Sequence, residues 1–217
     1  MGSVVVAIDG PAASGKSSVA SRVAARLGFL YVNTGAMYRA AAWAVVDGGI
    51  DPADGAAVVA AAGAVGIGFE EGRSFVRCGE RRLEAELVLE AVNGMVSRVA
   101  ANPGVRERLV AMQREAARGR DVVMEGRDIG SAVFPETPYK LYIDASEEVR
   151  QRRRAGQGIV DSIAARDRQD SARKASPLVI PLDAVVIDSS EMTLDAVVAA
   201  ALASLADLGL AGARGVL

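Results

Sequence analysis

The sequence predicts an α/β protein built on a parallel sheet, and three observations carry the prediction. Val4-Val5-Val6-Ala7-Ile8 is an unbroken apolar run without alternation, the pattern of a strand buried on both faces. It runs through a glycine-bounded turn into residues 18–27, where Val19, Val23 and Leu27 recur at helical spacing. Phe29-Leu30-Tyr31-Val32 is a second such strand, again followed by a loop and a helix over 35–46. Strand, loop and helix in repeated succession is the order that a parallel sheet with crossover helices requires.

The remaining elements follow in order. Gly28 suits the C-cap of the first helix. Residues 48–52 form a turn, and 53–63 an alanine-rich helix. From 65 to 83 the pattern changes to short segments joined by Glu71-Gly72 and Gly79-Glu80. These read as antiparallel strands inserted outside the parallel core. Cys78 is a small strand residue there. Helical spacing returns at 86–101. Asn102-Pro103-Gly104 then breaks it, with Asn102 capping a helix that starts at Pro103 and runs to about 118. Residues 121–125 are the third core strand, 140–144 the fourth and 184–188 the fifth. Ser146 caps the helix after the fourth strand, with Glu147 and Glu148 in its positive first turn. Thr193 caps a final helix over 194–208. No internal repeat and no long linker interrupts the chain, so a single domain over 1–217 is expected.

The first turn carries the chemistry. Gly10, Pro11, Ala12, Ala13, Ser14, Gly15, Lys16 and Ser17 fit G-x-x-x-x-G-K-[ST], placed between a strand and a helix. That context identifies a loop whose backbone N–H groups cradle phosphates. The helix start, with Ser18 in its first turn, adds positive potential at the same place. Lys16 is expected on the β- and γ-phosphates of a nucleoside triphosphate, and the Ser17 hydroxyl on Mg²⁺. Ligands of parallel sheets sit beyond the carboxyl ends of the strands. Asn33, Thr34, Tyr38 and Arg39 follow the second strand, and the Arg127-Asp128 pair in Gly126-Arg127-Asp128-Ile129-Gly130 follows the third, so both groups are expected on that rim.

Composition removes other chemistries. The chain of 217 residues has no histidine and one cysteine, which excludes histidine acid–base catalysis, imidazole metal sites and a disulfide framework. It is 51% hydrophobic with a net charge of −2, so neither disorder nor a global attraction to nucleic acid is expected. The N-terminal apolar run is too short for a signal peptide, and the other apolar stretches are too short to span a bilayer. A cytoplasmic protein that binds neither nucleic acid nor membrane is therefore expected, and a monomer is the working expectation.

One local cluster runs against the overall charge. Between 150 and 174, Arg150, Arg152, Arg153, Arg154, Arg166, Arg168, Arg173 and Lys174 face only Asp161, Asp167 and Asp170. With a phosphate loop upstream, this reads as a basic cover that brings arginines onto phosphates. A nucleic-acid-binding hairpin is the rival reading. A GTPase-like switch is disfavoured by the lack of an Asn-Lys-x-Asp segment.

Together these segments resemble the bacterial cytidylate kinases, P-loop nucleoside monophosphate kinases. The likeness spans nearly the whole chain. It rests on Ile8-Asp9-Gly10-Pro11 with Ser14-Gly15-Lys16, Thr34-Gly35-Ala36-Met37-Tyr38-Arg39, Ser97 with Asn102-Pro103-Gly104-Val105-Arg106-Glu107, and Gly126-Arg127-Asp128-Ile129-Gly130. It continues through Arg166-Asp167, Asp170, Arg173 and Val186-Ile187-Asp188-Ser189. The resemblance implies transfer of phosphate from MgATP to CMP or dCMP. It implies Arg39, Arg127 and Arg173 on the acceptor phosphate, with Tyr38, Arg166 and Asp170 around the sugar. It implies Ser97, Arg106 and Glu125 on the cytosine, and Arg153 and Arg154 in a lid over the ATP phosphates. Thr34 and Asp128 would complete the acceptor site. A monophosphate-binding insertion is expected at about 36–105, and a lid at about 150–168. Glu125 stands where Asp is common in the family, and Asn33 likewise.

Overall fold

The computed structural model describes residues 3–156 and 178–212. In chain order the elements are β1 (Val5–Asp9), α1 (Lys16–Leu27), β2 (Leu30–Asn33), α2 (Thr34–Asp47), α3 (Gly55–Ala62), β3 (Val65–Glu70), β4 (Arg73–Cys78) and β5 (Arg81–Leu83). They continue with α4 (Glu90–Ala101), α5 (Pro103–Ala116), β6 (Val122–Gly126), β7 (Tyr139–Asp144), α6 (Glu147–Ala155), β8 (Val185–Asp188) and α7 (Leu194–Asp207). The chain divides into two compact units, one formed by Met1–Val32 with Gly119–Leu217, the other by Asn33–Arg118.

The first unit is the parallel sheet. Its strands run β2-β6-β1-β7-β8, and β1 pairs in parallel with both β6 and β7, as β7 does with β8. The order therefore reverses at β1, and the loop after β1 opens at the topological switch point where open α/β sheets bind ligands. The unbroken apolar run is explained by burial: Val6, Ala7 and Ile8 are each 0% exposed. α1 presents Val19, Ala20, Val23 and Ala24, and α7 presents Val198, Ala201, Leu202 and Leu205, to a core completed by Val123, Leu141, Ile143 and Ile187. Gly28 closes α1 in the left-handed conformation, and the Ser146 and Thr193 hydroxyls accept the Val149 and Ala196 N–H groups.

The second unit joins an antiparallel β3-β4-β5 meander to helices. Glu71 and Gly72 both take positive φ, as a two-residue hairpin turn demands. α2 packs against α3, α4 and β4 around Met37, Ala41, Trp43, Val58, Val96 and Leu109. Asn102 caps α5 as expected, its Oδ1 accepting from Gly104 N–H at 3.0 Å and from Val105 N–H at 3.4 Å. The single helix expected at 86–101 is two pieces, a 3₁₀ turn over Ala85–Val88 and then α4. Leu89 separates them with extended backbone (φ −56°, ψ 142°). Asn93 Nδ2 donates to the Val88 carbonyl across that break at 3.0 Å, which satisfies the turn without an unbroken helix.

Candidate active site

At the end of β1 the chain turns into the phosphate loop. Gly10 lies so close to β7 that a Cβ there would sit 2.1 Å from the Ile143 carbonyl oxygen, a separation only glycine allows. Ala13 (φ 59°) and Gly15 (φ 90°) then curl the loop through left-handed backbone. Gly15 is also the N-cap of α1, and no described side chain caps that helix. Its first N–H groups and its dipole are thus left for an anion. The Ser14 hydroxyl is fully buried and has no hydrogen-bond partner among the described residues.

Two side chains stand ready at the loop. Lys16 is 6% exposed, and its ammonium folds back over the turn to donate to the Pro11 carbonyl at 3.1 Å. The Ser17 hydroxyl donates to Glu125 Oε1 at 2.8 Å, and the Tyr31 hydroxyl meets the same oxygen at 3.3 Å. Glu125, expected to read the base, is thus turned to the residue expected to hold the metal. Register is the cause: Ile8 of β1 stands opposite Glu125 of β6, which brings the carboxylate out beside the loop that β1 feeds. Serine hydroxyl and carboxylate are hard oxygen donors. Mg²⁺ takes one or two such protein ligands and fills its shell with water and phosphate, so the donor set fits that ion. No group of three or more His, Cys, Asp or Glu residues able to hold a metal occurs among the described residues.

Behind the loop lies a buried carboxylate that sequence reasoning left without a role. Asp9, 2% exposed, accepts the Ile129 N–H at 2.9 Å and the Gly130 N–H at 2.8 Å. Burial pushes its pKa up to about 7, against the lowering effect of those two hydrogen bonds. Ile129 and Gly130 open a π-type turn, Ile129–Val133, directly after the Arg127-Asp128 pair. Asp128 is buried in this turn, and Arg127 is half-buried.

Three of the four arginines of α6 are not a solvated basic face; only Arg152 is exposed. Arg153 Nη1 donates to the Ser14 carbonyl (3.1 Å) and to Ser189 Oγ (3.0 Å), and its Nη2 donates to the Ser189 carbonyl (2.7 Å). Arg150, read from the sequence only as part of the basic cluster, donates through Nε to the Ala145 carbonyl at 3.0 Å and through Nη1 to the Ala12 carbonyl at 3.3 Å. Arg154 is buried on the same helix. Two guanidinium groups, three residues apart and hence on one helical face, therefore brace the back of the phosphate loop. Arg153, expected over the phosphates, is held in this brace. Helical spacing within Arg150-Gln151-Arg152-Arg153 was the available signal for Arg150, and Ser189 stood unassigned at the end of Val186-Ile187-Asp188-Ser189.

In the second unit, Thr34 is buried at the start of α2, where Asn33 Oδ1 accepts the Ala36 N–H at 3.0 Å and caps the helix. Arg39 donates to the Leu87 carbonyl at 2.9 Å and to the Asn93 side chain. Arg106, 4% exposed, lies over the Tyr38 ring at 5.7 Å, within cation–π reach. Ser97 is half-buried on α4, one turn beyond Asn93 and on the same face. Tyr38 and Arg106 are thus in contact, and Arg39 and Ser97 both neighbour Asn93. Arg166, Asp170, Arg173 and most of the expected lid lie outside the described residues.

The family model described as Cytidylate kinase matches residues 6–207. The chain belongs to the cytidylate kinase family. It is therefore an enzyme, a nucleoside monophosphate kinase by family. A cytidylate kinase of Mycobacterium leprae is 44% identical over 92% of this chain and 94% of its own length. Another, from Pelotomaculum thermopropionicum, is 45% identical over 89% and 92%. Among solved structures, a gluconokinase from Sinorhizobium meliloti superposes with a TM-score of 0.53 at 17% identity, covering 95% of this chain and 93% of that one. This last likeness is one of fold. No helix of the described residues is long and apolar enough to cross a membrane.

Proposed function

We propose that this cytidylate kinase family member transfers the γ-phosphoryl group of ATP to CMP or dCMP, giving ADP and CDP or dCDP, in cytoplasmic pyrimidine nucleotide metabolism. The observation that carries the proposal is the phosphate loop: open N–H groups at the start of α1, Lys16 folded over the turn and Ser17 joined to Glu125, in a chain of that family. The loop backbone and Lys16 bind the β- and γ-phosphates and neutralise charge as it shifts toward the bridging oxygen. Ser17 and Glu125 would hold Mg²⁺, directly or through water. That ion would supply positive charge that lowers the repulsion met by an incoming anion. Arg150 and Arg153 keep the loop in its shape from behind.

The nucleophile is an oxygen of the acceptor phosphate, already anionic near neutral pH. The absence of histidine is therefore no obstacle, and the protein's contribution is positioning and electrostatics. Arg39, Arg127 and Arg173 hold the acceptor phosphate, Tyr38, Arg166 and Asp170 its sugar, and Ser97 and Arg106 the base. The Asn33–Arg118 unit serves as the acceptor-binding insertion, and the segment expected as a lid at about 150–168 takes that role beyond the α6 arginines that brace the loop. With Glu125 engaged at Ser17, base selection falls to Ser97 and Arg106.

A coupled ADP-release assay with MgATP and separate CMP, dCMP, UMP and AMP tests the proposal. Turnover with CMP and dCMP well above that with UMP and AMP is the expected result. Equal turnover with UMP would keep the kinase and remove the cytosine assignment, and no acceptor-stimulated turnover from folded protein would overturn the reading.

A further inference from the structure

We infer that Asp9 is a positioning residue for the acceptor side of the reaction: its carboxylate, carried on β1, fixes the backbone of the turn that presents Arg127 and Asp128. The inference rests on the proposed role of Arg127 toward the acceptor phosphate. It starts from an anomaly. A carboxylate that is 2% exposed sits at the end of an apolar strand, where desolvation makes its charge costly. No described arginine or lysine forms a salt bridge with it; Lys16 acts on it only as a nearby charge, opposed by Asp128.

Its partners are two consecutive backbone donors, Ile129 N–H on Oδ1 and Gly130 N–H on Oδ2. These are the opening N–H groups of a helical turn and would otherwise be orphaned in a buried place. The turn's later bonds are supplied internally, Val133 N–H to the Asp128 carbonyl at 3.1 Å and Phe134 N–H to the Ile129 carbonyl at 2.7 Å. One side chain therefore satisfies the first two N–H groups of the turn. Gly130 permits the approach: a Cβ there would lie 3.2 Å from the Lys140 side-chain carbons and 3.4 Å from Asp9 Oδ2.

Position gives this bond pair its meaning. Asp9 immediately precedes Gly10, the first residue of the phosphate loop, and Ile129 stands two residues after Arg127. The β1–β6 pairing sets Asp9 opposite Gly126, so strand and carboxylate together hold both ends of Gly126–Gly130. The same residue thus ends the donor strand and sets the acceptor arginine's loop. Asn at this place keeps size but not function. Its amide oxygen accepts one N–H, and its NH₂ group opposes the other.

The test is Asp9→Asn, with amide exchange by NMR and full kinetics in both substrates. In the wild type, the Ile129 and Gly130 amides are expected to exchange slowly and together. In Asp9→Asn at least one should exchange more than tenfold faster, while the amides of α1 keep their protection. The KM for CMP should rise at least tenfold, with the KM for ATP within about threefold of wild type. A merely structural role would raise both constants or lower the folded fraction without this split. Unchanged exchange at Ile129 and Gly130, an equal rise in both KM values, or a rise for ATP alone would each overturn the inference. Wild-type protein that does not use CMP would instead defeat the proposed function, and the exchange data would still decide the role of Asp9. If Asp9→Asn does not fold, Asp9→Glu, which keeps the charge but displaces the carboxylate by one methylene, carries the same expected split.

Discussion

The two units hold their functional side chains by different means. In the sheet unit many of the partners are main chain: Lys16 on the Pro11 carbonyl, Arg150 on Ala12, Arg153 on Ser14 and Ser189, and Asp9 on the Ile129 and Gly130 N–H groups, with Ser17 on Glu125 and Arg153 on Ser189 Oγ the side-chain pairs beside them. In the Asn33–Arg118 unit, side chains hold side chains, with Arg106 on the Tyr38 ring and Arg39 on Asn93 as well as on the Leu87 carbonyl. Backbone partners are set by the fold and do not change with residue type. Side-chain partners move with rotamers and change with single substitutions. The sheet unit is thus built for a fixed geometry, and the other for one that substitution can retune.

The comparison breaks most sharply at Lys16. Lys16→Met should lower kcat by about 10³-fold or more with the thermal midpoint unchanged, since it removes charge stabilisation from the reacting phosphates. A kcat within tenfold of wild type would remove the lysine from the mechanism. Next in size is a pH effect at Asp9. Its folded pKa is raised from 3.8 to about 7, so the folded chain holds that proton more firmly than the unfolded one. The stability this confers is full below about pH 4 and is lost as pH rises through about 7, a slope worth about 4 kcal/mol in all. Denaturant unfolding from pH 4 to 8 should show that slope in wild type relative to Asp9→Asn, and parallel curves would contradict it.

Substitutions on the acceptor side are expected to act on one substrate. Arg39→Ala and Arg127→Ala should each raise the KM for CMP about 10- to 100-fold and leave the KM for ATP within threefold, as loss of a charge-assisted phosphate contact predicts. A comparable rise for ATP would mean that the two sets of groups are not separable. The smallest effect sharpens the contrast at the metal position. Glu125→Gln should raise the half-saturating magnesium concentration about three- to tenfold and barely change the CMP to UMP preference. The opposite outcome, with preference changed and magnesium response intact, would return Glu125 to the base.

What the sequence determined by itself was local and periodic. Apolar runs long enough for buried strands, a glycine-framed turn between strand and helix, and the capping residues Asn102, Ser146 and Thr193 each act over a few neighbouring positions. Their consequences were therefore legible without a fold. Five core strands, the antiparallel insertion and the phosphate loop follow from them. The break at Leu89 was not legible, because helical spacing on both sides is continuous and the interruption is stabilised by Asn93 reaching back to Val88.

Only the tertiary structure decided which distant residues meet. Strand order set β1 between β6 and β7, and that register brought Glu125 to Ser17, 108 positions away, rather than leaving it to be judged by its neighbour Gly126. The same packing set Asp9 against Ile129 and Gly130, and Arg150 and Arg153 against the back of the phosphate loop. Composition and spacing report what a residue can do, but a carboxylate's role depends on which donors surround it. In a sheet those donors are chosen by the pairing of strands far apart in the chain.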